Sequence, residues 1–197
     1  MHITQQYYQN KPSLFLMNTE QQEYISLISR STHDDILIKK TGWEAINFQE
    51  HAHEKFQIIY TLSGTLHVET GGVNYFVPEK HIAWIPEKAS HKLSSNSRQV
   101  SLIIFYINLN ITPNDGKNRF SIYSTNGIIA ENLKFIASKG KVITRGKQTD
   151  LYYFALSFFN LLPQMTLGAD FLLKTLVIPN DSRLHPILNY ITEHIHE

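Results

Sequence analysis

The sequence predicts a mainly β fold with helices following on its C-terminal side, a barrel or a sandwich in architecture. Three observations carry this expectation. Between Asp35 and Ile107 the apolar residues fall in seven strand-length runs separated by turn chemistry. Gly71 and Gly72 sit between two of those runs, and a two-residue hairpin turn needs the positive φ that glycine adopts without strain. Beyond Ile107 the period changes, and apolar residues recur at helical spacing.

Taken in order, residues Thr19 to Arg30 read as a short helix, with Thr19 and Gln22 at capping-box spacing and Tyr24, Leu27 and Ile28 on one face. The strands follow: Ile36 to Lys40, Trp43 to Phe48, Phe56 to Leu62, Thr65 to Thr70, Val73 to Val77, Ile82 to Ile85 and Arg98 to Ile107. The last run is apolar at both parities, so both of its faces need cover. Two helical segments can supply it. Gly127 to Ser138 carries Ile129, Leu133 and Ile136 on one stripe and is stopped by Gly140. Asp150 to Leu162 carries Leu151, Phe154, Ala155, Phe158 and Leu162, with Pro163 ending it. Because Tyr152, Tyr153, Phe159 and Leu161 spread onto its flanks, this helix is expected to be buried on more than one side, with Tyr152 and Phe159 central to a symmetric dimer. A last amphipathic helix is expected from Asp181, with Leu184, Ile187, Leu188, Ile191 and Ile195 in register. The stretch from Asn132 to Thr149 has five basic residues and no acid, which reads as a solvated surface.

Composition excludes several classes of function. The chain has no cysteine, so disulfide frameworks, cysteine-based zinc sites and thiol nucleophiles are out. A net charge of +1 is far from the basic balance that duplex binding requires, and this chain should not retard DNA. Neither a basic leader with an apolar stretch nor a membrane-length apolar run is present, so a soluble cytoplasmic protein without membrane contact is expected.

Five of the ten histidines lie between positions 51 and 91. His51 and His53 are two apart, so on a strand both imidazoles face the same side. Gln57 keeps that parity if the strand is unbroken, and closing a barrel can bring His91 opposite the first pair. Imidazoles and a side-chain oxygen converging in a cavity suit a divalent transition metal. The same residues can instead form a merely structural cluster. His67 and His81 read as surface residues. Trp84 and Trp43 can stack on a flat ligand or pack in the core, and Tyr60, at the opposite parity from Gln57, is a poorer pocket residue than Ile59 or Thr61.

The run HAHEKFQIIYTLSG resembles the first cupin motif, with Gln57 where cupins usually have Glu and Gly64 in place, and PEKASH from Pro86 to His91 resembles the second, with Lys88 in place of Gly. Together with YFVPEKHIAWIPEKASHKL, the chain resembles the sensor domain of AraC-type transcription regulators more than it resembles a cupin enzyme, and PNDSRLHPILNYITEHIHE resembles the opening helix of that family's DNA-binding domain. The resemblance implies a cupin-like β-barrel (jelly roll) plus a helical dimerisation segment. Residues 1–34 would be an N-terminal extension with a short helix, 35–112 the barrel, 113–178 the dimerisation segment, and 179–197 a linker and the first helix of a truncated DNA-binding domain. It further implies a small-molecule effector bound by His51, His53, Gln57, His91 and Trp84, a homodimer, and DNA contact only through the missing C-terminal domain. No cofactor is required; a divalent metal held by His51, His53, Gln57 and His91 is the added expectation, weakened by the neutral amide at position 57. No catalytic residue is implied. The competing readings are a metal-dependent cupin oxygenase or isomerase with His51, His53 and His91 as ligands, and a non-catalytic sugar-binding cupin.

Overall fold

The computed structural model describes residues 19–109 and 118–166, together with positions 184, 186, 187 and 190. Helix α1 (Thr19–Arg30) precedes seven strands: β1 (Asp35–Lys40), β2 (Glu44–His51), β3 (Phe56–Ser63), β4 (Thr65–Thr70), β5 (Val73–Pro78), β6 (His81–Ile85) and β7 (His91–Ile107). Then come β8 (Ser121–Ser124), α2 (Gly127–Ser138), β9 (Val142–Thr144) and α3 (Thr149–Thr166). The protein is mainly β, with most of its helix on the C-terminal side, as the sequence predicts. Among the described residues no helix is long and apolar enough to cross a membrane.

The nine strands form one connected sheet that folds over on itself. β7, seventeen residues long, is the seam. Its first half lies antiparallel between β2 and β4, with β5 beyond β4. Its second half lies between β1 and β3, with β9 beyond β1 and β6 and β8 beyond β3. A bulge marks the change of layer. Asn96 has a positive φ of 50°, and Ser95 Oγ accepts from Ile46 N while donating to the Arg98 carbonyl, which holds the irregular turn of chain closed.

Alternation along the strands divides the interior in two. Leu37, Ile59, Ala83, Ile85, Leu102, Ile104 and Tyr106 point between the two layers and meet Ile46, Leu66, Val68 and Leu93 from the opposite side. The other parity, with Ile36, Ile38, Ile58, Tyr60, Trp84, Ile103 and Phe105, points outward and is covered by α2 and α3. This second face accounts for the doubly apolar run of β7. α2 begins where Asn126 caps it, its side-chain oxygen accepting from Ile129 N at 2.9 Å, and it buries Ile129, Leu133 and Ile136 on the sheet. α3 brings Phe159 against Phe105, ring centroids 5.0 Å apart.

Several boundaries differ from expectation. β7 begins at His91, earlier than Arg98, because pairing with β2 and β4 makes a strand of a polar stretch. β8 and β9, which lie beyond the segment expected to form the barrel, are four and three residues long and too short to show a period. Pro163 does not end α3: the helix runs on to Thr166, whose hydroxyl bonds the Pro163 carbonyl at 2.7 Å, and Pro163 itself is buried. Tyr152 and Phe159 do not form an outer patch, since both are buried within the chain. The apolar residues that α2 and α3 leave exposed are Ile128, Phe135, Tyr153, Phe154 and Leu161. The amphipathic helix expected from Asp181 falls for the most part outside the described residues.

Candidate functional site

His51 closes β2 and pairs directly with His91, the first residue of β7, across the ladder. Gln57, on β3 in the facing layer, pairs with Ile85 on one side and Tyr106 on the other. His53 is not on a strand. β2 stops at His51, and residues 52–55 form the connection to β3, so His53 reaches the interior through the turn and not by strand parity. The result brings together four of the five predicted residues. His51, His53, Gln57 and His91 are 5, 8, 0 and 1% exposed, and the three imidazole rings lie with centroids 4.3 to 5.9 Å apart.

Trp84 is the correction. It pairs with Ile58, on the outward parity of β6, and packs between Phe56 and Tyr123 beneath the helices. The sheet separates it from the histidines. Trp43 lies exposed before β2. His67 packs against Phe76 and His81 bonds the Glu79 carbonyl, both away from the cluster.

Backbone carbonyls fix the state of each ring. His51 Nδ1 lies 2.8 Å from the Gln49 carbonyl, His53 Nδ1 2.7 Å from that of Lys55, and His91 Nδ1 2.8 Å from that of Ala89. A carbonyl oxygen only accepts, so each Nδ1 carries the proton and, in a neutral ring, each Nε2 holds a lone pair. The rings are neutral. Burial lowers His51 to about 4 against an ordinary 6.5, partly opposed by its bond to Gln49 and helped by His53. Burial likewise lowers His53, against the bonds from Gln57 and Lys55, and it takes His91 well below 6.5, with the neighbouring His51 and His53 adding to the effect.

Ligand atoms of the three histidines lie within 4.8 Å of one another, and among the described residues His91 Nε2 is the buried side-chain atom without a hydrogen-bond partner. An orphaned buried lone pair costs about 1–3 kcal/mol, which a bound cation or ligand donor would relieve. The donor set fits a divalent metal, three neutral imidazole nitrogens with their other nitrogens oriented by carbonyls. Gln57 adds a side chain usable in two ways. Its Oε1 lies 3.1 Å from His53 Nε2 and its Nε2 donates to the Tyr106 hydroxyl at 3.2 Å. An amide oxygen facing a lone pair suits a shared cation; turned over, the same amide donates to His53 and accepts from Tyr106.

Sequence reasoning missed the supporting residues. Tyr106 is fully buried, its ring edge-on to His53 at 5.2 Å, and burial raises its hydroxyl above the usual phenol range. Gln21 of α1 is buried against Gln49. Lys55, 3% exposed, ties the β2–β3 connection to the α1–β1 loop and to the start of β1 by donating to the Thr32 and Asp35 carbonyls at 2.8 and 2.9 Å. Burial lowers its ammonium, against the pull of Asp35 and Asp34. Beside it a cavity of about 610 Å³ reaches His53 from the surface, walled by Ile28, Ser31, Ala52, Glu87 and Leu109 among others. Tyr106 was hidden inside an apolar run, and only its register with Gln57 marks it.

Residues 41–120 match the AraC-like ligand binding domain. That stretch runs from just before β2 to just before β8 and holds all four clustered residues. No curated protein matches the sequence. Among solved structures, ToxT from Vibrio cholerae with an unsaturated fatty acid bound is similar at 14% identity and a TM-score of 0.46, covering 70% of this chain and 57% of that one. The chain thus spans less than two thirds of that relative's length. An apo variant of ToxT is similar at 12% identity and a TM-score of 0.47, covering 85% of this chain and 67% of that one. A cupin-2 domain protein from Shewanella frigidimarina is similar at 18% identity and a TM-score of 0.32, covering 40% of this chain and 74% of that one.

Proposed function

We propose that this chain, whose residues 41–120 match the AraC-like ligand binding domain, is the effector-sensing part of a cytoplasmic, non-enzymatic transcription regulator. In this reading His51, His53, Gln57 and His91 form the recognition site, and a small effector reaches it through the cavity beside His53. Promoter binding belongs to a DNA-reading domain carried C-terminal to this chain. The observation that carries the reading is the buried convergence of three neutral imidazoles and one amide inside the matched stretch. A small-molecule screen read by thermal shift tests it, since a ligand favouring the folded form raises stability by about 2.7 kcal/mol at a hundredfold excess over its Kd. Hits that stabilise the wild type but not His53→Ala support the site; hits indifferent to that change overturn it.

A second copy is the proposed partner. Phe135 of α2 and Phe154 of α3 meet edge to face with centroids 5.9 Å apart, and with Ile128 and Leu161, about two helical turns away along their respective helices, they leave an apolar face in solvent. Both helices expose apolar residues seven apart, the spacing of a helix-pairing seam. A symmetric homodimer through this face replaces the arrangement centred on Tyr152 and Phe159.

A divalent cation is favoured as a component of the site by the orphaned Nε2 of His91. His51, His53 and His91 would hold it with Gln57 as an oxygen ligand, and the cation would supply Lewis-acid attraction for an effector oxygen. Metal analysis of purified protein tests this, together with Gln57→Glu, whose carboxylate should tighten Zn²⁺ binding roughly tenfold, equivalent to about 1.4 kcal/mol. Metal-free protein that takes up no Zn²⁺ on titration rules it out.

A further inference from the structure

Helix α1 presents Gln21, Tyr24 and Ile28, at helical spacing, towards the interior. Gln21 makes a two-pronged clasp on the backbone of one residue: its Oε1 accepts from Gln49 N at 3.0 Å and its Nε2 donates to the Gln49 carbonyl at 2.8 Å. That carbonyl is the same oxygen that accepts from His51 Nδ1. Two donors share one acceptor, which explains why Gln21 Nε2 and His51 Nδ1 lie only 3.3 Å apart. The peptide orientation that gives His51 its Nδ1–H tautomer is therefore held from α1. A second route runs from the Tyr24 ring to the Tyr106 ring at 5.7 Å, and from the Tyr106 hydroxyl to Gln57. Lys39, buried on the same side, places its ammonium 4.5 Å from the Tyr24 ring and 4.7 Å from that of Phe48.

We infer that α1 is part of the support of the histidine site: Gln21 is a positioning residue for His51, and cation binding at the cluster is coupled to docking of α1. The inference rests on the cation reading above. Its physical content is reciprocity. A group that holds Nε2 of His51 aimed at the cation raises affinity for it, and the bound cation must stabilise the docked helix by the same factor. α1 then becomes the element through which occupancy of the buried cluster is read at the surface.

The test uses the whole chain and Zn²⁺ alone as the probe. Gln21→Met keeps the length and packing of the side chain and removes both clasping bonds. It is expected to weaken Zn²⁺ binding about tenfold or more, the usual scale for a residue that orients a metal ligand. In metal-free protein, ¹⁵N imidazole spectra should show the His51 signal moving from the Nδ1–H form towards a mixture with Nε2–H, a change that general loosening would not confine to one ring. In the wild type, Zn²⁺ should slow amide exchange across residues 19–30. Equal Zn²⁺ affinity and an unchanged His51 tautomer in the variant overturn the coupling while leaving the cation site intact. Should Gln21→Met fail to fold, the wild-type exchange experiment decides alone, and unaltered exchange in α1 overturns the inference. A wild type that binds no Zn²⁺ defeats the cation reading and this inference together.

Discussion

The backbone N–H of Lys88 donates to the carbonyl of His53 at 2.8 Å, so the turn before β7 is stitched to the turn before β3. The same lysine has a φ of 62°, in the left-handed region that favours glycine. Position 88 is also where the second cupin motif has Gly. A non-glycine residue is therefore strained at this position, with an exposed ion pair to Glu54 at 3.2 Å in return. Lys88→Gly should therefore stabilise the fold by roughly 0.5–1 kcal/mol. Gly64 gives the opposite sign. At φ 82°, a Cβ there would sit 2.7 Å from the Gln99 carbonyl oxygen, and Gly64→Ala should cost roughly 2–3 kcal/mol. Urea unfolding of both variants checks the pair; matching signs would refute the backbone argument.

Acid should weaken the metal-free protein through its histidines. In the unfolded chain they titrate near 6.5, whereas in the folded protein His51 stays neutral down to about 4 and His53 and His91 are also depressed. Across that window the unfolded chain binds more protons, so stability is complete above 6.5 and falls as pH drops towards 4. The slope is at most about 1.4 kcal/mol per pH unit for each group. Urea midpoints at several pH values in the presence of a chelator report it, and a flat midpoint between pH 7 and 5 contradicts the assignment of neutral rings.

Replacing His91 separates stability from binding. Its Nε2 has no partner, and relief of that group offsets loss of the Nδ1–H bond to the Ala89 carbonyl, so His91→Leu, similar in volume, should change metal-free stability by no more than about 1 kcal/mol. Zn²⁺ binding and effector response should disappear. Calorimetric unfolding measures the first, and a loss above about 2 kcal/mol would mean that the imidazole is fully satisfied in the free protein.

Two phenylalanines on α3 should behave differently. Phe159 is fully buried against Phe105, and Phe159→Ala should cost about 3–5 kcal/mol. Phe154 is 42% exposed, and Phe154→Lys should cost only about 1 kcal/mol, the scale of its edge-to-face contact with Phe135, while shifting sedimentation from dimer to monomer. A monomeric wild type at high micromolar concentration would remove the dimer.

Much of this was legible from the residues. The hairpin at Gly71–Gly72, the strands from Phe56 to Ile85 and the helix Gly127–Ser138 follow from turn chemistry and period, which act locally. The grouping of His51, Gln57 and His91 was also readable, because motif spacing implies which strands meet. Trp84 was misread because its face depends on register: one step along β6, Ile85 faces Gln57 across the ladder while Trp84 faces Ile58. His53 arrived in the site by a route that alternation does not describe. Gln21 gave no signal at all, since a glutamine on a polar-looking helix shows neither its burial nor its grip on Gln49.

β7 carries His91 at its first residue and Phe105 near its last. One strand, bulged at Asn96, thus joins the histidine cluster to the sheet on which α3 rests. Inserting or deleting a single residue near Val100 would exchange the parities of everything beyond it. Tyr106 would turn away from Gln57, and Phe105 would leave Phe159, in the same event. Loops elsewhere can lengthen or shorten, but the residue count from the bulge at Asn96 to Ile107 is held by both faces at once, and this stretch of strand can change by substitution far more readily than by insertion or deletion.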